Sequence, residues 1–500
     1  MSAKKSMGNR SFLNLIKQSG LYALGNVAIK LSGLILAPLY LNSTILTVEA
    51  YGQFAVLYVF AQICIISVGL GLGTGMLRYV GKEEKAKEQD ALPFTAVVAT
   101  IFLALIFALV IWGLAGQLAG YFLEDVGQQR VIQFLGIYVG CKVVASVPMM
   151  LLRIQERAGI YVIAVVLEMV ILIGGIYTFL AQQLLGVEGI YMAYALAAGV
   201  QVVVLLVSLA FVVKWQFDWQ LLKPVLTYGG PLIFMGLAGL VLNAGDRFIL
   251  KELTTNEVIG KYEWAARLSG VLNLFLVQSF QLAFTILGLK TLGSGDFSLH
   301  RRAFRHFSIW SAWAVLCISL FAFDLTAALS RVGVDEFYLS SAILVFPLAL
   351  GAMIYGVFIV INNVFLAAAK TQLISWMVIM AAGLNIVFNL ILIPYYEAFG
   401  AAIATVLAYG ILVFLASRKA KQEIHIKYKW STFFLVVSMI TLLFLAGLTT
   451  QEWDTLPRIG ARILLVLAYF PLLYIFKIYR RDEIALGWQF LMQKIKRTPT

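Results

Sequence analysis

The chain is predicted to be an all-α polytopic membrane protein with about 14 transmembrane helices. Three observations predict it: fourteen long apolar stretches parted by short polar loops, 61% hydrophobic against 13% charged residues, and Lys and Arg gathered in every second loop. A helix needs about 20 apolar residues to cross roughly 30 Å of hydrocarbon, and stretches such as 94–114, 162–180 and 342–361 reach or approach that length. The charged share is about half that of a soluble domain.

The spans run approximately over 12–41, 51–77, 91–120, 130–152, 159–183, 187–213, 223–249, 256–288, 304–328, 339–368, 371–394, 398–417, 430–448 and 459–478. The N-terminus, residues 1–20, carries Lys4, Lys5, Arg10 and Lys17 and no small-residue cleavage site, which reads as a retained cytoplasmic tail. Arg78, Lys82, Lys85 and Lys87 follow span 2; Arg153 and Arg157 follow span 4; Lys214 and Lys223 follow span 6. Lys290, Arg301, Arg302 and Arg305 follow span 8, Lys370 follows span 10, and Arg418, Lys419, Lys421, Lys427 and Lys429 follow span 12. The opposite turns 42–50, 181–188 and 395–399 hold no Lys or Arg; Lys251, Arg331 and Arg458 are isolated exceptions. This bias predicts that both termini are cytoplasmic, which requires an even number of spans. The net charge of +13 is therefore a topology signal rather than a nucleic-acid face.

Cys64, Cys141 and Cys317 lie in apolar stretches and imply neither disulfides nor a metal site. His300, His306 and His425 sit in or beside cytoplasmic loops among Lys and Arg and suggest no catalytic or metal role. Past residue 478, Ile484, Trp488, Leu491 and Ile495 recur at helical spacing among basic residues, as an interfacial helix or simple anchoring tail would place them.

An internal repeat sets the domain plan. Residues 40–54 (YLNSTILTVEAYGQF) align without a gap on 248–262 (FILKELTTNEVIGKY), with Glu49 on Glu257 and Gly52 on Gly260 at an offset of 208. Residues 189–200 align on 400–411 at nearly the same offset. Six spans thus repeat in one orientation, giving an N-terminal lobe over 1–213, a C-terminal lobe over 214–418, two added helices over 419–478 and a tail over 479–500. Parallel repeats are a transporter plan with the substrate site expected between the halves.

Ionisable groups at bilayer depth cost roughly 2.5–3.5 kcal/mol each on insertion scales and so face a cavity or a partner. Lys30, Lys142 and Arg267 lie deep in spans 1, 4 and 8, with Glu168 in span 5 and Glu263 in span 8. Each of the three bases reads either as cationic lining for an anionic substrate or as an interhelical partner of Glu168 or Glu263, and depth alone does not separate these. Glu263 and Arg267 are spaced i, i+4 with the acid first, the favourable order for a pair on one helix. Asp246 and Arg247 lie at the outer end of span 7, where snorkelling is easy, and Asn243, Asn273, Gln278 and Gln281 add neutral polar groups. Span 1 carries no Asp or Glu, which disfavours a site for cationic drugs. Gly69, Gly71, Gly73 and Gly75 close span 2 without the phosphate-loop lysine, so close packing or a bend is the better account than nucleotide binding. Pro231, after Gly229 and Gly230, is a candidate hinge; Pro394 and Gly400 read as one span's end and the next one's start.

Residues 385–410, with Asn385, Asn389, Pro394, Gly400–Ala401–Ala402 and Thr405, resemble the polysaccharide transporters of the multidrug/oligosaccharidyl-lipid/polysaccharide exporter superfamily. Gly245–Asp246–Arg247–Phe248, then Gly260, Tyr262 and Ala265, looks like that family's span 7–8 junction, and Tyr51–Gly52–Gln53–Phe54 like its span 2 start. The chain departs from the pattern at Glu397–Ala398, where a glycine is frequent. The resemblance implies two six-helix lobes in a V and alternating access. It implies flipping of a polyprenyl-diphosphate-linked oligosaccharide, a polysaccharide repeat unit such as those of lipopolysaccharide, from the inner to the outer leaflet of the bacterial cytoplasmic membrane.

On that reading Lys30, Lys142, Arg267, Asn243, Asp246 and Arg247 are the candidate substrate-binding residues, and Glu168 and Glu263 the candidate ion-coupling or charge-pairing ones. The partners are the lipid-linked oligosaccharide, membrane lipids and polysaccharide polymerase machinery, with no nucleic acid, no cofactor and no metal. Three alternatives stand beside it: a lipid II flippase, a multidrug or cation antiporter of the same superfamily, and, from another class, a membrane glycosyl polymerase or ligase. The last should carry a sizeable external loop with catalytic groups, and none is present in the sequence.

Overall fold

The computed structural model describes residues 33, 35–79, 91–210, 213–293, 295 and 297–478, and every regular element among them is helical. The helices are α1 (Ala37–Tyr40), α2 (Val48–Val68), α3 (Leu72–Tyr79), α4 (Leu92–Gly113), α5 (Ala115–Leu123), α6 (Gln129–Ile154), α7 (Ala158–Gly175) and α8 (Gly186–Ala210). They continue with α9 (Leu222–Ala244), α10 (Asp246–Leu253), α11 (Asn256–Leu272), α12 (Ser279–Gly293), α13 (Ser298–Ser330), α14 (Val345–Ala367), α15 (Thr371–Glu423), α16 (Trp430–Leu448) and α17 (Thr455–Ile475).

Twelve helical stretches among the described residues are long and apolar enough to cross a membrane. The protein is a multi-pass, all-α membrane protein, as its hydropathy predicts. With no water in the bilayer core, a helix is the one open element that satisfies its own backbone. Helix α15, with 53 residues, is long enough to cross twice, and Glu397 breaks it with φ 48° and ψ −127°. Pro394 stands just before the break, and the α-carbon of Gly400 just after it packs on the Leu392 carbonyl. Spans 11 and 12 are therefore two helices that meet at Glu397, with Pro394 near the end of one and Gly400 near the start of the next, as the sequence predicts. The expected first span, 12–41, lies largely outside the described residues, as does the tail 479–500.

The chain divides into two compact units. One takes the residues up to Arg267 with 329–338 and 375–408; the other takes 268–328, 339–374 and the remainder from Tyr409.

In the first unit, α6 packs against α4 and α8, and α7 against α8. Helix α2 begins where the Thr47 hydroxyl accepts the Ala50 N–H at 3.1 Å, with Glu49 in the first turn beside the positive end of the helix dipole. It ends at the glycine run. Gly71 takes φ +65°, turning the chain into α3, and its α-carbon lies against the backbone of Gly229. The run is thus both a bend and a close helix contact. Leu72, Met76, Leu92, Val147, Leu151 and Val225 fill the core at this end.

In the second unit, the rings of Phe346 and Phe444 stack at 4.3 Å, and Gly447 admits the Leu320 side chain against α16. The Tyr469 hydroxyl donates to the Ile309 carbonyl at 2.9 Å. Near the start of α17, Asp324 receives Arg458 at 2.8 Å and also Arg462, whose guanidinium is 3% accessible. Arg458, an exception to the loop-charge pattern, is consequently a neutralised group tied down by an acid and by the carbonyls of Gln451 and Trp453. The second exception, Lys251, lies 3.7 Å from Glu124 in the first unit.

Candidate functional site: charged networks joined by aromatic rings

Two charged networks lie in the first unit. The larger begins on α11, where Glu263 and Arg267 stand one turn apart. Arg267 Nε donates to Glu263 Oε1 at 3.1 Å. Arg247, on α10, donates to the other carboxylate oxygen, with Nη2 at 3.1 Å and Nε at 3.4 Å. Glu263 thus bridges two guanidinium groups, one to each oxygen. Arg247 also donates from Nη1 to Asp246 at 2.7 Å and to the Asn243 carbonyl at 3.3 Å, and Asp246 receives the Tyr262 hydroxyl.

Asp246 and Arg247 are 3% and 8% accessible. The easy outlet to the interface predicted for this pair is not taken, because two carboxylates hold the guanidinium inside. Charge-assisted contacts in a dry setting outweigh the hydration that snorkelling would regain. The Asn243 side chain donates to the Gly239 carbonyl at 2.6 Å and so faces its own helix.

Arg267 also engages residues of the N-terminal part of the chain. Its Nη1 donates to the Gly33 carbonyl at 3.2 Å, and its guanidinium carbon lies 5.3, 5.4 and 5.8 Å from the ring centres of Tyr40, Tyr51 and Phe54. A cation over a desolvated ring gains about 2 kcal/mol. Arg is suited to this place because its planar group stacks and forks at once.

The second network joins α6, α7 and α8. Lys142 Nζ donates to Glu168 Oε1 and, at 3.0 Å, to Gln201 Oε1. Glu168 is 6% accessible, and its second carboxylate oxygen has no hydrogen-bond partner among the described residues. Lys142 and Arg267 lie about 20 and 17 Å along their helices from the starts of α6 and α11, so both sit well inside a bilayer-sized span. Lys30 lies outside the described residues.

A chain of rings links the two networks. Phe54 lies 6.1 Å from Tyr58 and 6.1 Å from Tyr194; Tyr194 meets the edge of Tyr138 at 5.1 Å. Tyr138 stands one turn before Lys142 on α6, and residues four apart share a face. Tyr191 adds a further ring at 6.0 Å from Phe54. Sequence reasoning missed this cluster. The signal was present as Tyr51, Phe54 and Tyr58 at helical spacing on α2 and as Tyr191 and Tyr194 on α8, but aromatic stripes in apolar spans read as ordinary core. It also missed Asp324 and Arg462, two charges inside expected spans.

The charges of these two networks balance: Lys142 with Glu168, Arg247 with Asp246, Arg267 with Glu263. Each base has an acid, and breaking a buried pair from one side costs about 3–5 kcal/mol. Accessible surface nevertheless remains on Tyr58 at 37%, on the Lys142 side chain at 21% and on that of Arg267 at 19%. A separate cavity of about 280 Å³ near the glycine run is lined by Ile65, Gly71, Thr74, Ser146, Met150 and Leu232.

Residues 43–285, which hold both networks apart from the Arg267 contacts to Gly33 and Tyr40, match the family described as polysaccharide biosynthesis protein. No curated protein matches the sequence. The fold is shared with a structure titled lipid II flippase MurJ, inward closed conformation, at a TM-score of 0.74 and 13% identity, over 92% of this chain and 100% of that one. It is also similar to an inward-facing multidrug resistance MATE family transporter at TM-score 0.61 and 17% identity, over 84% of this chain and 94% of that one. The outward-facing form of such a transporter gives 0.59 and 16%, over 86% and 96%. At these identities the likeness is one of fold. Residues 43–285, just under half of the chain, are thus similar to the polysaccharide biosynthesis protein family, and the fold is the one seen in the MurJ and MATE structures.

Proposed function

We propose that the protein moves a polyprenyl-diphosphate-linked oligosaccharide from the inner to the outer leaflet of a bacterial cytoplasmic membrane by alternating access, with both termini in the cytoplasm. The observation that carries this reading is the largely buried pair Arg247–Arg267, bridged by Glu263, with the Arg267 guanidinium against a wall of aromatic rings. A diphosphate is recognised by arginine forks. Sugar rings present apolar C–H faces that lie well on Tyr and Phe, and their hydroxyls meet the phenolic edges. The polyprenyl tail needs no protein site, since hydrocarbon is its solvent.

Lys30, Lys142, Arg267, Asn243, Asp246 and Arg247 are the proposed substrate-contacting set, with Glu168 and Glu263 as charge partners or ion-coupling groups. The polymerase that consumes the flipped unit is the expected functional partner. Transport of this kind makes and breaks no covalent bond, and the fold relatives are transporters and flippases rather than enzymes.

The test is leaflet translocation in proteoliposomes of the purified protein, with a polyprenyl-diphosphate oligosaccharide bearing a quenchable label. Protein-dependent loss of protection supports the reading, and neutralising Lys30, Lys142 and Arg267 together should abolish it. Translocation that survives all three changes removes these residues from the site. Absence of any translocation, with several glycans and an imposed gradient, redirects the function to export of small molecules.

A further inference from the structure

The deep charges pose a difficulty for an anionic substrate. Asp246, Glu263, Arg247 and Arg267 sum to zero, so the network as it stands offers a diphosphate no net attraction. One of its members must move before the anion can enter.

The geometry identifies which. Glu263 spends one oxygen on Arg267 and the other on Arg247, holding a bridging position between two guanidinium groups. A phosphate group presents two oxygens at nearly the spacing of a carboxylate's two. Asp246 cannot take this role, because it is fixed on its own neighbour Arg247 and by the Tyr262 hydroxyl. Glu263 has no other side-chain donor among the described residues than the two arginines, and its side chain keeps 14% of its surface accessible. It is the acid whose displacement frees both forks at once.

We propose that Glu263 is a resident competitor for the anion site: its carboxylate fills the place of a substrate phosphate, and the diphosphate enters by displacing it. This rests on the reading of the network as the diphosphate site. The arrangement makes Glu263 a specificity-determining residue. Two bare, largely buried arginines would capture inorganic phosphate, pyrophosphate or anionic lipid headgroups. A bound carboxylate excludes these and yields only to a ligand whose sugar and tail contacts add to those of its phosphates. Selectivity then comes from a repulsive element as much as from an attractive one.

The experiment titrates inorganic pyrophosphate into the full-length protein in lipid nanodiscs and follows binding by calorimetry, for the wild type, Glu263→Gln and Glu263→Gln/Arg267→Gln. Glu263→Gln should bind pyrophosphate at least about tenfold more tightly than the wild type, the worth of one charge-assisted hydrogen bond. Adding Arg267→Gln should erase the gain. Equal binding by wild type and Glu263→Gln, or a gain that persists without Arg267, overturns the inference.

Because Glu263→Gln leaves two buried cations with one acid, Glu263→Asp serves as the second variant. It keeps the charge but draws the carboxylate back by one methylene, and pyrophosphate should raise its unfolding temperature more than that of the wild type. No such difference counts against the proposal. Translocation of the lipid-linked oligosaccharide by the wild type distinguishes the two failures. If it proceeds while Glu263 proves irrelevant to pyrophosphate, the competitor idea falls and the flippase reading stands; if it is absent, the reading itself falls.

Discussion

Gly52 and Gly260 meet their surroundings reciprocally: each is the fifth residue of its helix, and each presses a bare α-carbon onto the first residue of the other's helix. Gly52 lies on the backbone of Asn256, at the start of α11, and Gly260 on the backbone of Val48, at the start of α2. Val48 and Asn256 are separated by 208 positions, as are Gly52 and Gly260, the offset of the internal repeat. The equivalent corners of the two repeats therefore cross through their backbones, at the end of the helices that the loop charges predict to face outward.

A side chain at either glycine must push a backbone aside. Gly52→Ala and Gly260→Ala should each lower stability by about 1–3 kcal/mol, as overpacking of a dense contact does. The double variant should cost less than the sum, since one crossing is lost only once. Thermal unfolding of the purified protein checks this against Gly239→Ala, where a β-carbon meets nothing within 4 Å. Equal behaviour of all three positions would contradict it.

Lys142 and Glu168 form a largely buried pair. Lys142→Met should cost about 3–5 kcal/mol by leaving a buried carboxylate unpaired, whereas Lys142→Met with Glu168→Met should recover much of that loss. A double-mutant cycle on unfolding free energies measures the coupling. Additive losses would show that Glu168 finds another partner.

In the second unit, Asp324 answers two arginines. Asp324→Asn should destabilise by about 3–5 kcal/mol, because Arg462 stays buried without its acid. Arg458→Gln should cost far less, as Asp324 keeps Arg462. Unfolding curves of the two variants, compared at one pH and salt concentration, decide it; a larger loss for Arg458→Gln would reverse the assignment.

Glu397 carries φ 48° and ψ −127° in the bend of α15. A non-glycine residue in such a region is strained by about 1–3 kcal/mol, and glycine has no β-carbon to clash. Glu397→Gly should therefore raise stability by about 1 kcal/mol with transport unchanged, read as a shift of the unfolding midpoint. A lower midpoint would mean that the Glu397 side chain contributes more than its backbone costs. The sequence resemblance departs from its pattern at Glu397–Ala398, and the strained dihedral angles of Glu397 fall within that departure.

The sequence by itself determined the helical multi-pass fold and the positions of most spans. The physical reason is local: each span must satisfy its own backbone inside hydrocarbon, so hydropathy along the chain is enough. Tertiary structure alone decided the partners. That Glu263 bridges Arg247 and Arg267, that Lys142 turns to Glu168 and Gln201, and that Tyr40, Tyr51 and Phe54 close over Arg267 depend on how helices rotate and pack. Those contacts join residues from 4 to more than 200 positions apart, and the same stripe of rings or charges on an isolated helix is compatible with many neighbours. Depth restricts which groups must find a partner; only packing chooses it.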